Sequence, residues 1–329
     1  GPCASGFSDV HLLHHCLSGI CRNEVDLTCL LPGLPALAHP IIINAITGGA
    51  DAVAKINESL AIVARETGSA MAVGSQFGTV RTGLHRDSYT IVRKCNPKGL
   101  IFANLSAFAS VEQAKAAIDM ISADALQIHL NPAQELAMEE GDRDFSNCLS
   151  HIEAMVQGVG VPVIVKETGC GMAKKEAQDL LDVGVTLLDI GGAGGTNFPA
   201  IEHQRYPEGN EELSEWGIPT VLSLLSVVQT VGWGNGVIAS GGIRSALDVV
   251  KAQVLGASAV AMAGNLLQKI QQEGTEETIH FLQRLLNKVL DFYTLLGCRT
   301  FRDLHEARYY LTGETAQAVS WLRKYDQND

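Results

Sequence analysis

No run of about 18 apolar residues occurs in the 329-residue chain, so no segment is long enough to cross a bilayer as a helix. No basic stretch followed by an apolar core and a small-residue cleavage site opens it, so no secretory leader is visible. Basic residues are also scarce: 24 Lys and Arg stand against 36 Asp and Glu, a net charge of −12. Gripping a nucleic-acid backbone needs a basic stripe, and the 3 Trp are too scattered to stack bases. Nucleic acid is therefore excluded as a partner. A small phosphorylated ligand is not, because it needs only local positive charge and backbone N–H groups. The 8 Cys form no CxxC pair and several lie in apolar runs, which reads as reduced, cytoplasmic usage and not a disulfide framework. Gly1-Pro2 in place of an initiator Met reads as a cleavage scar, with native residues lost before it.

What the chain does have is glycine, 33 residues of it, and a repeating rhythm. Residues 1–39 form an irregular N-terminal extension with His11, His14 and His15 and a Pro/Gly-rich segment. From Pro40 short apolar runs alternate with amphipathic helices. The runs are 40–46, 70–73, 99–103, 125–130, 161–165, 186–190, 236–239 and 259–262. Helical spacing fills gaps such as 51–66, 111–121, 174–183 and 246–255. Runs apolar on both faces suit a parallel sheet covered by helices. Eight βα units in about 230 residues predict an α/β fold, a (β/α)8 TIM barrel over 40–270. A doubly wound sheet is the rival, but no GxGxxG turn follows an early strand. A long insertion, Asn197 to Gly217, is a lid candidate. Residues 271–329 read as a C-terminal helical tail, packed on the barrel or on a neighbouring subunit.

In such barrels the working residues stand at the C-terminal strand ends, and here every end is small or polar. The first ends Ala45-Ile46-Thr47-Gly48-Gly49, the second Gly74-Ser75-Gln76 and the third at Asn104. The fourth runs into His129-Leu130-Asn131-Pro132-Ala133-Gln134-Glu135, and the fifth ends Lys166-Glu167. The last three end in Gly191–Thr196, in Ser240-Gly241-Gly242-Ile243-Arg244 and in Ala263-Gly264. Glycine loops opening helices on adjacent strands form a phosphate cradle; alternatively they only make tight turns.

Lys166 closes an apolar run, so its ammonium must face an anion or lose its charge. Glu167 is one candidate partner. Neighbours in a strand point to opposite faces, however, so Lys166 points inward and Glu167 does not. An inward cation beside a phosphate cradle suits a flavin, whose reduced ring is negative at N1. Glu135 suits a hard divalent cation, with Gln134 beside it. Alternatively Pro132 opens a helix whose first turn simply exposes both. Cys170 has no adjacent base and reads as a packed small side chain. His11, His14 and His15 lack metal-ligand spacing and read as surface or interface residues.

From about Gly6 to Leu267 these motifs resemble the type 2 isopentenyl-diphosphate isomerases, FMN-dependent (β/α)8 enzymes. The HLNxxQE pattern is the most specific of them. The resemblance implies interconversion of isopentenyl and dimethylallyl diphosphate, with reduced FMN in the acid/base work, Mg2+ on the diphosphate and NADPH as reductant. It implies that Ala45, Ile46, Thr47, Ser75, Asn104 and Lys166 hold FMN together with Thr196, Gly241, Gly242, Arg244, Ala263 and Gly264. Ser75, Gln76, His129, Asn131 and Gln134 would contact substrate, Gln134 and His129 as catalytic residues, and Glu135 would bind the metal. A cytoplasmic homo-oligomer, tetramer or octamer, is implied as well. Two departures stand out. Nothing in Gly1–Gly6 matches the family's opening Arg-Lys-x-x-His element, and Phe77 stands where the family often carries Arg. The alternative on the same barrel is an FMN-dependent 2-hydroxyacid oxidase or dehydrogenase. That class carries His-Gly-Gly-Arg after strand six, where this chain has neither His nor Arg.

Overall fold

Eight short parallel strands close into a barrel in sequence order in the computed structural model, which describes residues 4–325. They are β1 (Ile41–Ile43), β2 (Ala70–Ala72), β3 (Ile101–Ser106), β4 (Ala125–Leu130), β5 (Val163–Glu167), β6 (Leu187–Asp189), β7 (Val237–Ser240) and β8 (Ala259–Met262). Closure is made by Ile41–Ile43 pairing in register with Val260–Met262. Strands β4 and β8 keep their expected bounds, and the others shift by a few residues. The largest correction is β3, which runs on to Ser106, so that Asn104 is an interior strand residue and not a strand end.

Helices cover the barrel because their apolar stripes have no other place to go. The helix Val111–Ile121 is opened by a reciprocal cap: Ser110 Oγ accepts from Gln113 N at 3.3 Å, and Gln113 Oε1 accepts from Ser110 N at 2.8 Å. Ser245 and Asp248 repeat the device at the helix Ala246–Val254. A 33-residue helix, Gly264–Leu296, follows β8 and packs on the helices Ala54–Thr67 and Ala246–Val254. Its backbone leaves helical geometry at Gly274. The tail is therefore laid on its own barrel. It is also not wholly helical: Tyr309–Leu311 pairs antiparallel with Val10–Leu12, joining the two ends of the chain. The helix Gly313–Tyr325 completes it.

Arg22 to Asp291 and Arg299 to Glu24 are exposed ion pairs across the same seam, each worth little in water. His11 stacks on Tyr310 with ring centroids 4.8 Å apart, while His14 and His15 are exposed. Among the described residues no disulfide is present and no group of three or more metal-ligating side chains converges. No helix among them is long and apolar enough to cross a membrane. Gly1-Pro2, expected to be a cleavage scar, lies outside the described residues.

Candidate active site

The C-terminal layer of the barrel interior is polar, where such layers are usually filled by branched apolar side chains. Strand register assembles it. Asn104 lies opposite Gln127, and His129, Lys166 and Asp189 lie opposite one another across β4, β5 and β6. Opposed residues of parallel strands share a face, so all five point inward. Buried polar groups need partners, and these find one another. Asn104 Nδ2 donates to Gln127 Oε1 at 2.7 Å, and Gln127 Nε2 to Asn44 Oδ1 at 3.1 Å. Asn44 Nδ2 donates to Asp189 Oδ2 at 2.8 Å. Asp189, fully buried, also accepts from Ser240 Oγ and from Gly191 N.

The Lys166 ammonium stands 3.9 Å from Asp189 Oδ2 and donates to the Glu167 backbone oxygen at 2.6 Å. The Glu167 carboxylate is not its partner. Oε2 instead accepts three backbone N–H groups, from Gly169, Cys170 and Gly171, at 2.7, 2.6 and 2.9 Å. Those bonds hold the loop after β5 in place. Burial nevertheless pushes the Glu167 carboxyl up to about 7, against the pull of these donors and of Lys166. His129 Nδ1 lies 2.9 Å from Asn104 Oδ1. Its ring keeps an edge on the cavity, but the protein around it is dense. Burial, and after it the Lys166 charge, bring its pKa down to about 4, so the imidazole is neutral at pH 7.

Above this layer opens a cavity of about 540 Å³, within the usual range for a cofactor site. Ala45, Ile46, Ser75, Asn104, Lys166 and Thr196 line it, as do Gly241, Gly242, Arg244, Ala263 and Gly264. Backbone approach is closest at Gly241, where φ is +105° and a Cβ would lie 2.0 Å from the Gly192 carbonyl oxygen. Only glycine fits there. The first turns of the helices Ala246–Val254 and Gly264–Leu296 open beside these loops. Their leading N–H groups lack intrahelical partners, which makes an anion seat. Polar mouth, cation and anion seat thus fit an elongated phosphorylated cofactor.

The motif that follows β4 stands one turn beyond the cavity. Pro132 opens the short helix Pro132–Ala137. Glu135 Oε1 accepts from Asn131 Nδ2 at 2.8 Å, and Oε2 from Asp142 N at 2.9 Å. A single carboxylate cannot enclose a metal by itself, but Mg2+ commonly takes one or two carboxylates and completes its shell with water and ligand phosphate. Gln134 Nε2 donates to Glu202 Oε1 at 2.9 Å, and Arg205 Nη1 meets Glu202 Oε2 at 2.8 Å. Glu202 belongs to the helix Phe198–Arg205, so the 197–217 insertion is ordered, capped by Asn197 and tied to the β4 loop.

Two expected site residues are turned elsewhere. Gln76 is fully buried: Nε2 donates to Ala117 O at 2.9 Å and Oε1 accepts from Asn104 N at 3.0 Å, so it braces β3 and does not reach the cavity. Thr47 Oγ1 donates to Asn57 Oδ1 at 2.8 Å and its side chain stands off the cavity wall. Sequence reading missed Asn44, Gln127 and Asp189. Their signal was a polar residue inside or ending an apolar strand, which must be hydrogen-bonded if buried. It missed Glu202 too, one acidic residue among several in the insertion.

Known proteins match this arrangement. Residues 86–311 match the family model of FMN-dependent dehydrogenases. The isopentenyl-diphosphate delta-isomerase of Geobacillus sp. is 45% identical over 95% of this chain and 89% of its own length. That of Symbiobacterium thermophilum is 44% identical over 98% and 88%. A solved mandelate oxidase superposes with a TM-score of 0.68 over 94% of this chain and 88% of its own, at 16% identity. That likeness shows the fold alone. With the barrel, its polar mouth and near full-length relatives above 40% identity, the chain belongs to the isopentenyl-diphosphate delta-isomerase family, on the FMN-dependent dehydrogenase barrel.

Proposed function

We propose that the protein interconverts isopentenyl diphosphate and dimethylallyl diphosphate, with FMN in the cavity, Mg2+ at Glu135 and NADPH as the source of reducing equivalents. The observation that carries this reading is that His129, in register with Lys166, lines the cavity together with the glycine cradle, and that the helix bearing Gln134 and Glu135 opens directly after the same strand. The 2-hydroxyacid reading needs a basic side chain after β6. Nothing in Gly191–Gly195 carries one, and at Gly191 a Cβ would lie 2.0 Å from the Glu167 carbonyl oxygen. This chain shares the barrel of the oxidase-like neighbours but has no such base at that position.

Moving a double bond by one carbon adds a proton at one position and removes another, without net redox change. FMN bound in its reduced form would supply an electron-rich ring and an exchangeable proton. The chain supplies position and charge. Lys166 offers a cation toward an anionic ring edge, and the first turns after β7 and β8 seat the cofactor phosphate. Glu135 would hold a Mg2+ ion, which would supply charge to bind the diphosphate. Gln134, fixed between Asn131 and Glu202, orients the reacting end; an amide does not exchange protons readily enough to be the base. The Phe198–Arg205 helix closes over that end and keeps water from a cation-like transition state. A cytoplasmic homo-oligomer, tetramer or octamer, is supported by the reduced cysteine usage and the family resemblance. The division into extension, barrel over 40–270 and tail is supported by the run of eight βα units.

The test is direct. The protein is reduced anaerobically with dithionite or NADPH, given Mg2+ and isopentenyl diphosphate, and assayed for dimethylallyl diphosphate. Turnover that requires reduced flavin supports the proposal. Bleaching of oxidised flavin by lactate or glycolate, without isomerisation, refutes it.

A further inference from the structure

The polar belt beneath the cavity has a direction. Asp189 is a carboxylate whose neighbours can all donate: Ser240 Oγ, Gly191 N, Asn44 Nδ2 and the Lys166 ammonium. It therefore accepts at both oxygens. Asn44 must turn its NH2 toward Asp189, and a second anchor requires the same orientation, because the backbone N–H of Ala45 donates to Asn44 Oδ1 at 2.9 Å. With its carbonyl oxygen facing Gln127, Asn44 can only accept, so Gln127 donates through Nε2 and presents Oε1 to Asn104. Asn104 then donates through Nδ2 and presents Oδ1 to His129. An oxygen acceptor 2.9 Å from Nδ1 requires that Nδ1 carry the ring proton.

We propose that Asp189 is a positioning residue. Through Asn44, Gln127 and Asn104 it fixes His129 as the Nδ1–H tautomer, with Nε2 bare. His129 thus meets the cavity as a hydrogen-bond acceptor. It takes a hydrogen bond from an N–H or O–H of the bound cofactor or substrate, and it is not a donor to a diphosphate oxygen. The inference stands on the belt alone and holds whichever ligand the cavity accepts. The neutrality imposed on the ring by burial supports it, since an imidazolium would donate from both nitrogens. Breaking the anchor removes the bias. In Asp189→Asn the Gly191 N–H claims the remaining carbonyl oxygen, so the new NH2 faces the Asn44 NH2. Turning Asn44, Gln127 and Asn104 relieves that clash but gives up the bond from the Ala45 N–H, so a reversed belt, with an NH2 against a bare His129 Nδ1, competes with the original one.

Two-bond 1H–15N correlation spectra of the protein labelled in histidine nitrogens read the tautomer directly, with and without bound FMN. His129 is identified by the signal lost in His129→Gln. At pH 7 the wild type should show one neutral pattern, Nδ1 protonated and Nε2 bare. Asp189→Asn should bring up an Nε2-protonated pattern beside it. Gln127→Met cuts the belt without altering Asp189, and should leave a mixture of both tautomers; it serves if Asp189→Asn does not fold. An Nε2-protonated wild type overturns the inference. So does a pure Nδ1–H pattern that survives either substitution. Neither result bears on turnover of isopentenyl diphosphate, so this proposal and the isomerase reading fail separately.

Discussion

Replacing Glu167 by Gln isolates a buried acid that braces the site without lining it. Its carboxyl is raised from the usual 4.5 to about 7 chiefly by burial. Each tenfold in a protonation equilibrium corresponds to ~1.4 kcal/mol, so ionisation costs the folded protein about 3 kcal/mol relative to the unfolded chain. The sign follows from the raised folded-state pKa. The stabilisation conferred by the neutral acid is complete below pH 4.5, falls as pH climbs through 7, and changes no further above. Glutamine keeps a carbonyl oxygen for the three N–H groups of Gly169, Cys170 and Gly171 but does not titrate. Wild type minus Glu167→Gln should thus lose about 3 kcal/mol between pH 4.5 and 8, or about 4 °C in Tm for a chain of this length. Paired thermal melts across that range, at equal flavin loading, measure the difference while all other titrations cancel. A difference that is flat with pH, or one that favours wild type as pH rises, would show that the three N–H bonds outweigh burial.

Three further substitutions probe the mouth. Gly241→Ala pushes a Cβ against the Gly192 oxygen at positive φ; local strain of ~1–3 kcal/mol should weaken FMN binding by tenfold or more, read as lost visible absorbance in titration. Glu135→Ala should leave flavin binding intact and raise the Mg2+ concentration for half-maximal turnover at least about tenfold; chelation of Mg2+ should stop the wild type, and unchanged metal dependence in the variant would remove Glu135 from the metal site. Gln134→Leu deprives the buried Glu202 of one partner, at a cost of ~1–3 kcal/mol. It should lower kcat and speed proteolytic cleavage within 206–211, whereas a loss of kcat with no change in cleavage would place Gln134 in the chemistry and not in holding the lid.

The barrel was legible because its strands are buried on both faces and so read as apolar runs. Where a strand stops at sharp turn chemistry, as β4 does before Pro132, its end was legible as well. β3 was cut short for the opposite reason. Asn104 and Ser106 look like a departure from the core, yet both are buried and the strand continues through Leu105. Ser75 lines the cavity, whereas Gln76 beside it takes helical backbone as the N-cap of Phe77–Thr82 and turns its side chain into the protein. The motif spacing alone treated them alike.

The limit of sequence reading lies in polarity of a different kind. His129 was recognisable as a strand-end imidazole, but which nitrogen holds its proton depends on Asp189, four hydrogen bonds away in the network and on another strand. Amide side chains transmit such information because each has one donor end and one acceptor end, and burial forbids leaving either unpaired. A carboxylate has no donor end, so placed at the head of the belt it leaves only one consistent orientation for every amide after it. Glu202 illustrates the converse. In composition it is one carboxylate in an acidic insertion, and only its burial against Gln134 and Arg205 distinguishes it from solvated neighbours such as Glu211 and Glu212. A buried carboxylate therefore organises the groups around it, whereas an exposed one is screened by water.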